Sequence, residues 1–190
     1  MRAGLVVLFA LGVAGAALAQ GQNMPRGTAT DIKSAEIDAA VKKTASAPVS
    51  DQQLRVLSID GQYNVGVGVV HRARTNGQGA PGAGGGVEHS EITEIYHVIS
   101  GNATLVTGGT ITGAKPVAGD NQVVTTLNGP STNGGPIMGG TSRQIGPGDV
   151  VIIPPNTPHW FREITSDQIV YLVVRADPKK VLPAGFVAPK

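Results

Sequence analysis

Past its first fifty residues the chain adopts the two-residue alternation of apolar and polar positions that marks β-strands. Leu54–Ile59 (LRVLSI) predicts one strand and Tyr63–Arg74 (YNVGVGVVHRAR) a second. In the second, Val65, Val67, Val69 and His71 share one face, and Asn64, Gly66, Gly68, Val70 and Arg72 share the other. Two later segments, Val87–Gly101 (VEHSEITEIYHVISG) and Gly148–Trp160 (GDVVIIPPNTPHW), each read as strand, turn, strand. Between them ATLVTGG and VVTTLNG predict strands, PSTNGGPIMGG a glycine-rich loop, and TSRQI a strand leading back. QIVYLVVR, residues 168–175, predicts a closing strand, and Asp177-Pro178 ends the regular structure. Helical character is confined to residues 30–44, with Lys42 and Lys43 placed where the helix dipole favours them. Thr30 or Asp31 would cap this helix, which should lie thinly on the sheet, and Pro48 should end it. Short strands, frequent Gly/Pro turns and no long helical pattern predict an all-β sandwich or jelly roll with one short N-terminal helix.

The first residues follow a different pattern. One Arg, an apolar run from Gly4 to Leu18 and the small residues Ala17-Leu18-Ala19 read as a signal peptide over residues 1–19, with cleavage after Ala19. The expected location is therefore periplasmic or secreted. The run is too short and too rich in Gly and Ala to read as a membrane span, so no membrane association is expected after cleavage. The chain has no cysteine, so its stability must come from its core alone. About 170 residues remain, enough for one sizeable core. They divide into an extension and helix over residues 20–50, a barrel over 51–178 and a loose tail over 179–190. The formal net charge is only +2 and no basic run occurs, which argues against nucleic acid as a partner. The glycine loop over residues 75–86 has neither the lysine nor the spacing of a phosphate-binding loop and reads as a mobile loop beside the barrel mouth.

Chemistry concentrates in the two strand–turn–strand segments, which carry His89, Glu94 and His159. Two imidazoles and a carboxylate meeting inside a barrel would make a transition-metal site with positions free for a ligand. His89 and Glu94 are five residues apart, so Ser90–Thr93 must turn or bulge for both to face one centre. Glu94 facing inward then puts Tyr96 inside and His97 outside, which excludes His97 as a ligand. Glu91, in the turn, is an alternative carboxylate, with solvent exposure the plainer reading.

At these residues the chain resembles the cupin superfamily. His89, Glu94 and Gly101 occupy positions of its first motif; Gly148, Pro154 and His159 occupy those of its second. Asn156 stands where glycine is usual in that motif, and Glu163 where asparagine is usual. The first histidine of the first motif is replaced by Val87. The resemblance implies a cupin-type jelly-roll β-barrel, often dimeric, so a homodimer is expected. It also implies a metal held by His89, Glu94 and His159, one divalent transition metal per chain (Fe, Mn, Zn or Ni). Val87 leaves either a two-histidine, one-carboxylate set or a vacancy that His71 fills. His71, among valines read as inward, is a fourth ligand, a catalytic base touching substrate, or a buried neutral imidazole paired to a backbone carbonyl. The function expected is action on a small organic molecule in the pocket, by oxygen activation or metal-assisted proton transfer. The alternatives are a non-catalytic module binding metal or small ligand and a structural barrel.

Overall fold

A computed structural model describes residues 28–75 and 84–189. The expected signal segment, the extension up to residue 27 and residues 76–83 of the glycine loop lie outside the described residues. Helix α1 covers Ser34–Lys43, a few residues later than expected. Asp31 does not cap it; its carboxylate accepts from Lys33 Nζ at 2.7 Å, and the N-cap, Lys33, makes no side-chain cap bond. Ile37, Ala40 and Val41 of α1 pack against Leu54, Val69 and Val170. Glu36 receives both terminal nitrogens of Arg55, at 2.6 and 2.9 Å. One apolar contact line and one bidentate ion pair therefore hold the helix against the sheet.

Strands β1 (Val49–Ile59) and β2 (Tyr63–Thr75) form a long hairpin. They are followed by β3 (Val87–His89), β4 (Thr93–Ser100), β5 (Ala103–Thr107), β6 (Thr110–Ile111) and β7 (Lys115–Pro116). Then come β8 (Ser131–Asn133), β9 (Ile137–Met138), β10 (Thr141–Ile145), β11 (Val150–Ile153) and β12 (His159–Asp177). Ten of these form one antiparallel sheet, and β6 and β9 pair separately. Strand β12 is its centre: 19 residues long, it pairs with β2, β3, β4 and β5. The sheet curls so that Tyr96, Val98, Leu105, Ile153, Phe161 and Tyr171 meet in a single core. This is the all-β, barrel-like architecture the alternation predicted, with one short N-terminal helix.

Three stretches differ from their expected form. VVTTLNG is a π-helical turn, Val123–Asn128, and not a strand. Asn121 captures it: its side-chain oxygen accepts from Val123 N–H and its carbonyl from Val124 and Thr125 N–H, all at 2.9 Å. Local capping here overrides the β-preference of two valines and two threonines. The stretch read as a glycine-rich loop contains β8 and β9. The C-terminal segment is not loose: Phe186 and Ala188 exchange backbone hydrogen bonds with Val56 and Leu54, and Leu182 is buried.

The inward face of β2 is the glycine face. Gly66 and Gly68 lie opposite Arg175 and Val173 of β12, and Val70 joins the core. A Cβ on Gly68 would sit 2.8 Å from Arg175 Nη1 and 2.8 Å from the Gln52 carbonyl oxygen. The carbonyl belongs to backbone and cannot swing aside, so Gly68→Ala is expected to destabilise by about 1–3 kcal/mol. A chemical-denaturation curve with unchanged slope would read this directly.

Candidate metal centre

His89 ends β3, Glu94 is the second residue of β4 and His159 opens β12. All three side chains are buried, at 5, 3 and 3% exposure. Their nearest ligand atoms lie within 4.8 Å of one another, with Glu94 Oε2 at 3.6 Å from His89 Nε2 and 3.3 Å from His159 Nε2. The bend at Ser90–Ile92 lets residues five apart share this centre. Asn156 N–H donates to the His89 carbonyl at 2.8 Å and so ties the second motif to the first. Asn156 has φ +57°, a left-handed conformation that glycine takes freely and asparagine tolerates best among the other residues. Gly101 has φ +85°, and a Cβ there would collide with the Gln168 carbonyl oxygen.

The outer nitrogens of the two imidazoles are committed. His159 Nδ1 lies 3.0 Å from the Thr157 carbonyl, which can only accept, so Nδ1 carries a proton. His89 Nδ1 lies 2.8 Å from Ser131 Oγ, whose own proton goes to the Gly129 carbonyl at 2.8 Å. In the neutral form each ring therefore turns an Nε2 lone pair toward Glu94. Burial, helped by His159, Arg175 and Arg72 and opposed by Glu94, lowers the His89 pKa to about 4 and keeps that ring neutral. Burial alone would protonate Glu94, but His89, His159 and Arg175 outweigh it and hold the carboxyl below the usual carboxylate range. Tyr96 Oη donates to Glu94 Oε2 at 2.9 Å. Its own pKa is pushed well above the ordinary tyrosine value by burial and by Glu94, so the phenol keeps its proton. Two lone pairs and a carboxylate facing one another repel unless a cation lies among them. The donor set fits a divalent metal ion.

Ser131, supplied by the stretch read as a loop, is one residue that sequence reasoning missed. It is 42 positions from His89, and no local signal links the two. Ser131→Ala frees His89 Nδ1 and is expected to weaken metal affinity about 10–100-fold. Competition against a chromophoric chelator measures the loss. The metal-free protein should also show a pH signature. The His89 pKa is about 4 in the folded chain against 6.5 in the free residue. The unfolded chain therefore takes up this proton first, so the stabilising contribution is complete above pH 6.5 and is lost as pH falls toward 4. Thermal melts across that window should show the decline in the wild type, and a flatter profile in His89→Gln.

Val87 pairs with His159 in register and shares the His89 face of β3. It thus occupies the place where a fourth ligand would stand. His71 does not fill it. Its ring is buried, but on the outer face of β2 beneath α1, with Nε2 at 2.9 Å from the Ala47 carbonyl and Nδ1 at 3.5 Å from Thr44 Oγ1. Around Val69 and His71 both faces of β2 are covered, one by core and one by the helix, so a stripe of valines did not identify the inward side. Of the three readings of His71, the geometry is that of the buried imidazole paired to a backbone carbonyl. His97 is exposed and Glu91 half-buried, and neither joins the cluster.

The missed residues of the interior are arginines. Arg175 is fully buried: Nε donates to Asn128 at 2.6 Å, Nη1 to Gln53 at 2.7 Å and Nη2 to Asp51 at 2.5 Å, with Glu94 Oε1 3.5 Å from Nε. Arg72 lies with its Cζ 5.0 Å from the centre of the Phe161 ring and donates from Nε to Tyr171 Oη at 3.2 Å.

No protein-family model matches the chain, and no curated protein matches its sequence. Among solved structures it is similar to a Bacillus halodurans protein, with 13% identity and a TM-score of 0.45, over 85% of this chain and 90% of that one. It is also similar to an RmlC-like cupin family protein with a double-stranded β-helix fold from Methanocaldococcus jannaschii, with 16% identity, a TM-score of 0.39 and coverage of 70% and 85%. A recombinant oxalate oxidase in complex with glycolate matches at 15% identity and a TM-score of 0.42, over 70% of this chain and 53% of its own length. These are likenesses of fold: the chain is an all-β protein whose curled antiparallel sheet brings His89, Glu94 and His159 together at one centre.

Proposed function

We propose that the chain is an exported metal-binding cupin that acts on a small organic molecule in the barrel. One divalent transition metal per chain would be held by His89, Glu94 and His159. The observation that carries this reading is the orientation of the two Nε2 atoms and a carboxylate oxygen toward one another, with both outer ring nitrogens committed elsewhere. Once bound, such an ion supplies Lewis acidity and, where it is redox-active, a route to oxygen chemistry. The protein supplies the rest. Ser131 and the Thr157 carbonyl fix the rings, Tyr96 fixes the carboxylate, and burial keeps bulk water from all three ligands. Export is supported by the Ala17-Leu18-Ala19 pattern.

Elemental analysis after reconstitution with iron, manganese, zinc and nickel tests the reading. One metal near full occupancy is expected in the wild type, and a trace in His159→Ala. Trace metal in both would remove the proposal. A non-catalytic binding module has one observation in its favour: His71, the base the sequence offered, is taken up beneath α1. Metal-loaded protein that binds small organic acids but turns none of them over would decide for that module.

A further inference from the structure

The two guanidinium groups inside the barrel are in different situations. All three nitrogens of Arg175 donate to protein acceptors, one of them the Asp51 carboxylate. Arg72 stands on the inward face of β2, beside Val70 and opposite His71, and only its Nε has an acceptor, the Tyr171 hydroxyl. Among the described residues neither Nη of Arg72 has a hydrogen-bond partner and no carboxylate pairs with it. Contacts with Tyr171 and Phe161 set the plane of the guanidinium, and its two-nitrogen edge has no acceptor among the described residues. This is the edge that receives a carboxylate through two parallel bonds.

Position adds to this. Phe161 follows His159 by two residues on the same strand and stacks on Tyr96, whose ring lies 6.2 Å from that of His159. Two packed rings, Phe161 and Tyr96, therefore connect Arg72 to His159. Arg72 is half-buried while His89, Glu94 and His159 are buried, so it is more solvent-accessible than they are. Gly84 borders it: a Cβ there would come within 3.9 Å of Arg72 Nη1. Charge points the same way. Asp51, Glu94 and the fully buried Asp177 face Arg72 and Arg175 in the interior, an excess of one carboxylate that a divalent ion would more than offset.

We propose that Arg72 is the anion anchor of the barrel, gripping the carboxylate of a small organic acid whose remaining oxygens face His89, Glu94 and His159. The second half of this statement rests on the metal-site reading, and the first half does not. The test is calorimetric titration of glycolate and its neutral analogue glycolamide into metal-free and zinc-loaded protein. Wild type is expected to bind glycolate tighter than glycolamide by about tenfold or more, as a hydrogen-bonded charge pair requires. Arg72→Gln should erase that preference and Arg72→Lys should keep part of it, with zinc content equal to wild type in both. Equal binding of the two ligands by wild type, an arm that needs no variant, overturns the proposal. So does a glycolate preference that survives Arg72→Gln. If wild type takes up no zinc, the metal reading falls. An Arg72-dependent preference for glycolate in that same metal-free protein would still support the anchor.

Discussion

Saturation with a divalent metal should raise the melting temperature of the protein by about 8–16 °C, and His159→Ala should cancel the rise. The size follows from linkage: a ligand that binds only the folded chain, at a thousand times its Kd, stabilises by about 4 kcal/mol, and a domain of this size shifts about 2–4 °C per kcal/mol. The direction follows from geometry. In the metal-free chain the Nε2 atoms of His89 and His159 face the Glu94 carboxylate at 3.6 and 3.3 Å, an arrangement a cation relieves. Differential scanning calorimetry with and without added metal reads the shift. A rise of equal size in His159→Ala would place the binding elsewhere on the chain.

Arg175→Leu should cost about 3–5 kcal/mol, the range for removing one partner from a buried ion pair. Asp51 would lose its short contact with Arg175 Nη2, and its Oδ1 already lacks a hydrogen-bond partner. Burial already pushes the Asp51 pKa up, against the pull of Arg175, so loss of the guanidinium leaves the carboxyl to protonate or stay strained. Asn128, Gln53 and Glu94 would lose a partner together, and the space kept by Gly66 and Gly68 would be left poorly filled. Urea denaturation measures the loss. Arg74, whose pair with Asp167 is exposed, provides the contrast: Arg74→Ala should change stability little. A similar small effect in Arg175→Leu would mean that the interior network is not what holds β1 against β12.

Much of the centre was legible because its geometry is local. The resemblance picked out the three residues, and the local setting agrees with it: His89 and Glu94 sit on either side of one turn, and His159 follows a Pro-Pro-Asn turn. The all-β class was legible from alternation. What could not be read is what distance in sequence hides. Ser131 reaches His89 because β8 pairs with β3, a pairing set by a turn that the β-rich letters of VVTTLNG disguise. The face of β2 was misjudged because the segment around α1 buries Val69 and His71 on the outer face, although Val65 and Val67 there stay half-buried. The better signal lay in Gly66 and Gly68, two small residues on one face of a long strand, which mark a large partner across the sheet. That partner, Arg175, lies in an apolar strand where an arginine reads as an exposed residue.

Strand β12 also sets the order in which the centre can come into being. During synthesis the chain emerges from its N-terminus, and at residue 158 it holds His89 and Glu94 but neither His159 nor the strand that β2, β3, β4 and β5 share. Those pairings span up to most of the chain's length, and such non-local contacts form late and slowly. Metal capture by all three residues would then be a terminal event, and a bound ion would report that the last long strand has docked.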